Sequence, residues 1–190
     1  SIIRSMEKMI APDRLQPFFL ECARRSFHEL GLHDPPIIEY VANVLTTFAR
    51  SDQLYRLQTP SGKRLESVVE MLSTALTPAG DARLPVQRER ELRKYVGDYA
   101  LFMSGLFRRG VLDYYFQEGR RSYWKVSELD LALYQTGFLL FQELSKNFEY
   151  YSGALDYMRK AYFTPMPGED PFRQFLRNVE GWMKVSLSGN

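Results

Sequence analysis

Tyr95-Val96-Gly97-Asp98-Tyr99-Ala100-Leu101-Phe102-Met103-Ser104-Gly105-Leu106-Phe107 is the stretch on which the reading of the fold turns. Asp98 is its only charged residue, and its large apolar residues recur every three to four positions. That spacing sets Tyr95, Val96, Tyr99, Phe102, Met103 and Leu106 on the inward side of a long helix, with Leu92 before them and Gly110 at its end. The longest apolar run here, residues 99–107, is far shorter than the roughly 20 residues a membrane span needs.

Working outward, apolar residues keep helical spacing nearly everywhere, and no segment alternates with the two-residue period of a half-buried strand. Upstream, Leu20, Ala23, Phe27 and Leu30 form a stripe with Pro17 near its start, and Gly31 reads as its left-handed C-terminal cap. Asp34 reads as an N-cap with Pro35 at the first helical position, followed by Ile37, Val41, Val44, Leu45 and Phe48. Ser61 opens a further helix through Leu65, Val68, Leu72 and Leu76. Residues 77–85, with two prolines and a glycine, are the clearest loop and a candidate hinge between helical layers.

Downstream, a shorter helix covers about residues 113–126. Ser127 and Asp130 have the spacing of a capping box, which opens a long helix through Leu131, Tyr134, Phe138, Phe141, Leu144 and Phe148, kinked at Gly153. After a proline-containing loop at 164–168, Asp170 and Pro171 repeat the cap-plus-proline signal before Phe172, Phe175, Leu176, Val179 and Trp182. The expectation is an all-α fold: one domain over residues 1–190, a bundle of about seven mostly antiparallel helices.

Composition narrows the chemistry. The only histidines, His28 and His33, belong to no Glu-x-x-His pair, so the ligands of a carboxylate-bridged di-iron bundle are missing, and a zinc site fails likewise. Cys22, the single cysteine, rules out an intramolecular disulfide and reads as a buried thiol. Lys63 follows Gly62 without the upstream glycine of a phosphate-binding loop. No metal, no cofactor and no catalytic residue is expected, and the reducing cytoplasm is the expected compartment.

Aromatics are in excess, with 13 Phe, 12 Tyr and 2 Trp, which implies a thick aromatic core or an aromatic-lined binding surface. The charge is uneven: residues 83–125 hold ten Lys or Arg against five Asp or Glu, and the rest holds fifteen against eighteen. Asp98, alone on an apolar helix, must be paired, neutralised or placed at a seam. Gly97, Ala100 and Ser104 would let a neighbouring backbone approach. The mixture of cations and rings over residues 113–125 fits either a core helix with a basic outer face or a single-stranded nucleic-acid surface.

Gly97-Asp98, residues 101–107, residues 114–119 and Ser122-Tyr123 resemble a family of uncharacterised bacterial helical proteins, over roughly a sixth of the chain. The resemblance implies a bacterial origin and a non-secreted helical protein, and transfers no catalytic role. The leading expectation is therefore a non-catalytic helical protein that binds a protein partner or an apolar small molecule. Asp98, Tyr115, Arg120, Arg121 and Tyr123 would lie near the recognition surface, and spare aromatic surface is compatible with a homodimer. The alternatives are a nucleic-acid-binding module using residues 108–125 and an enzyme with Asp98 as general acid or base.

Overall fold

A computed structural model of the chain describes residues 12–50, 85–108, 112–162, 167–168 and 171–188. The described part is 88% helical and has no strand, so the fold is all-α. Its helices are α1 (Pro12–Glu29), α2 (Pro35–Ala49), α3 (Pro85–Phe102), α4 (Leu112–Ala132), α5 (Phe138–Lys146), α6 (Phe148–Tyr162) and α7 (Pro171–Ser188), with a π-helical turn, Met103–Phe107, directly after α3. No helix among the described residues is long and apolar enough to cross a membrane. The expected helix from Ser61 and residues 77–84 of the expected hinge lie outside the described residues, as do Gly110 and Asp170.

The chain divides into two compact units, Ser1–Thr59 with Ala154–Asn190, and Pro60–Gly153. In the first unit α1 packs on α2. α1 starts earlier than its stripe suggests: Pro17 lies inside the helix, and the buried face is Leu15, Phe19, Cys22, Ala23, Ser26 and Phe27, with Leu20 at its half-buried margin. Burial pushes the Cys22 thiol pKa up, which keeps it protonated. Gly31 has φ +81°, the Gly31 N–H donates to the His28 carbonyl and the Leu32 N–H to the Phe27 carbonyl. These two bonds make the Schellman closure that the glycine announces. Asp34 caps α2 by accepting from the Ile37 N–H at 3.4 Å, and the predicted stripe from Ile37 to Phe48 is buried. Phe175 of α7 stacks on Phe19 with ring centroids 6.3 Å apart.

In the second unit α3 packs on α4, and α4 on α5. The stretch 96–106 is buried on every side rather than along one stripe. Its end is also not where Gly110 suggests: the turn widens at Met103, and Arg108, at φ 45°, closes it by donating its N–H to the Met103 carbonyl at 3.0 Å. Two glycines allow the close packing expected of the small residues. A Cβ on Gly97 would lie 2.6 Å from the Tyr123 ring, and one on Gly119 would lie 2.2 Å from Phe148. Both substitutions would overpack the core.

The largest departure from expectation is at residues 127–137. α4 runs through Ser127, whose hydroxyl donates to the Trp124 carbonyl, a local bond that lets a helix continue. The capping box does not form: Ser127 lies inside α4, with no helix start to cap, and the Asp130 carboxylate pairs elsewhere. The helix ends at Ala132, and α5 begins at Phe138. Leu131 and Tyr134, expected to face inward on one long helix, are 57% and 95% exposed. Gly153 lies within α6, whose start at Phe148 follows a separate break at Asn147.

Candidate functional site

The five residues singled out by sequence fall into three places in the second unit. Asp98 and Tyr123 meet: the Tyr123 hydroxyl donates to Asp98 Oδ1 at 2.8 Å, and Lys94 Nζ, one turn earlier on α3, donates to Oδ2 at 3.1 Å. Tyr123 is fully buried, packed against Phe141 and Phe148 with ring centroids 5.8 Å away from each. The Asp98 carboxylate thus receives a donor on each oxygen, which meets the cost of burying its charge. The helices are tied by a tyrosine, while Lys94 on the carboxylate's own helix is its ionic partner.

Tyr115 faces inward on the same side of α4 but meets Tyr99, with ring centroids 6.3 Å apart. Burial raises the pKa of both phenols above their ordinary value. Arg120 and Arg121 point outward. Arg120 pairs with Glu149 and Arg121 with Glu118 at 3.0 Å. Lys125 adds a looser pair with Glu128 at 3.8 Å. The positive excess of residues 83–125 is therefore partly met by carboxylates just downstream of that window, Glu128, Asp130 and Glu149.

Sequence reasoning missed a second buried ion pair, among the described residues of this unit. Asp130 is fully buried, and Arg90, from the first half of α3, holds it with Nε on Oδ1 and Nη2 on Oδ2 at 3.3 Å. The Arg90 guanidinium also lies 5.6 Å from the Phe141 ring centroid. Nothing in the local spacing reveals this pair, because its members come from different helices. Among the described residues no group of three or more His, Cys, Asp or Glu could hold a metal ion.

The turn between α4 and α5 was missed as well. Its backbone repeats the closure of α1: the Tyr134 N–H donates to the Leu131 carbonyl at 3.2 Å and the Gln135 N–H to the Asp130 carbonyl at 2.8 Å. Here the left-handed residue is Tyr134, at φ 54°. Leu131 and Leu139 (64% exposed) lie at the same end of this helical hairpin, and Trp124 (40% exposed) is two turns back on the outer face of α4. The α4–α5 elbow thus exposes Leu131, Tyr134 and Leu139, with no covering element among the described residues.

Comparison with protein-family models, with curated proteins and with solved structures finds no match, so the likeness read in the central stretch is carried no further.

Proposed function

We propose that the chain is a non-catalytic binding protein whose partner, another protein, docks on the α4–α5 elbow. One observation carries the reading: Tyr134 keeps a large aromatic side chain 95% in solvent while its backbone sits at φ 54°. A left-handed conformation costs a non-glycine residue roughly 1–2 kcal/mol. The ring makes no burial that would offset this cost within the fold. The exposed ring, with Leu131 and Leu139 exposed at the same hairpin end, supports a recognition surface.

The competing readings have less support. The Asp98 carboxylate is engaged by Tyr123 and Lys94, which suits a core hydrogen bond better than proton transfer to a substrate. Arg120, Arg121 and Lys125 each face a carboxylate, which weakens the case for phosphate contacts. The Tyr123 ring packs on both Phe141 and Phe148, favouring a filled core over a lined pocket.

The test is a photo-crosslinking amino acid at position 134, expressed in the native host. One discrete adduct is expected there, and none from the same residue at the exposed position 150. The adduct mass tells a second copy of the chain from a different protein. No adduct at 134, or equal labelling at both positions, rejects the reading.

A further inference from the structure

Independently of that elbow, the closure of α1 brings together the two histidines of the chain. His28 lies in the last turn of α1 and His33 just beyond Gly31, and their ring centroids are 4.6 Å apart at an interplanar angle of 47°. Both are exposed, and neither imidazole has a hydrogen-bond partner among the described residues. The neighbouring carboxylates have other work: Glu29 accepts from the Tyr157 hydroxyl, and Asp34 caps α2. We propose that His28 and His33 form a two-imidazole chelate for a late first-row divalent cation, with water completing the coordination.

The imidazole ligands set the class of ion. A cation bound about 2.1 Å from a ring nitrogen lies roughly 3.2 Å from that ring's centroid. Two rings whose centroids are 4.6 Å apart are therefore within the span over which one cation can be shared. Imidazole suits Ni2+, Cu2+ and Zn2+, and affinity along the first-row series peaks at Cu2+. With two protein ligands, and no carboxylate fixing the far ring nitrogens, the site binds weakly. It also clasps the end of α1 to the segment entering α2, so the cation stabilises the folded state.

The experiment is calorimetric titration of the untagged full chain with NiCl2, alongside thermal melts with and without the salt. The expected result is one site of micromolar order and a raised Tm. His28→Gln and His33→Gln, both at exposed positions, each weaken binding at least tenfold and abolish the Tm shift. No binding to the unaltered chain, or binding unchanged in both variants, overturns the proposal.

Discussion

Two helix ends in this molecule are closed by the same pair of hydrogen bonds and differ in the residue asked to turn left-handed. At the end of α1 that residue is Gly31, and a Cβ there would meet nothing within 4 Å. At the end of α4 it is Tyr134. Glycine takes up positive φ without steric cost, whereas tyrosine does so against the contact between its Cβ and the following carbonyl. The α4 end must therefore be held by something besides its own turn. The Arg90–Asp130 pair supplies this, since Asp130 gives its carbonyl to Gln135 and its carboxylate to Arg90. The first closure is local, and the second depends on a residue of another helix.

The comparison breaks most severely if that anchor is dispensable. Asp130→Ala should cost about 3 kcal/mol in urea unfolding, the lower end of the range for a broken buried pair, because Arg90 keeps 27% of its side-chain exposure. A loss under about 1 kcal/mol would mean that the elbow holds itself. Gly31→Ala should cost about 1 kcal/mol with no cavity or clash to account for it, isolating the backbone contribution. Tyr134→Gly should do the reverse, raising stability by about 1 kcal/mol while removing the crosslinkable partner surface. A neutral or destabilising result there would show that the tyrosine contributes to the fold.

The smallest effect lies at alkaline pH and should be common to both helix-end variants. Tyr99 and Tyr115 stay neutral in the fold above the ordinary phenol value of 10, where the unfolded chain ionises. Stability is therefore flat in this respect below pH 10 and falls as pH rises through it, by less than about 1 kcal/mol per tyrosine over the first half unit. Phe at both positions should make the alkaline fall in Tm shallower.

Much of this was legible in the letters. Gly31, Asp34 with Pro35, and Pro171 mark helix ends through local chemistry, and local chemistry is visible in a single sequence. The buried stripe of α2 could be read for the same reason. Ser127 misled because a serine capping the start of a helix and a serine bonding back to its own turn occupy the same sequence pattern. The Asp130 partner was invisible, since Arg90 reaches it only after α3 has packed on α4. Of the candidate site, Asp98 was found as an exception in an apolar run, but its partner Tyr123 looked like any other aromatic. The spacing of Tyr134 is that of a core residue, and no composition rule marks a tyrosine that turns left-handed.

The π-helical turn after α3 has a consequence for the angular phase of the whole segment. A π turn advances by fewer degrees per residue than the α-helix before it, so over residues 103–107 the chain falls behind by roughly one residue's rotation, about 100°. Leu106 and Phe107 thus lie on a different meridian from the one an unbroken α-helix would give them. Removing a single residue within the turn would restore the α pitch but leave Arg108 with the angular position the longer chain gave it. The widened turn is a one-residue phase shifter, and the length of the segment is as much a part of its design as its composition.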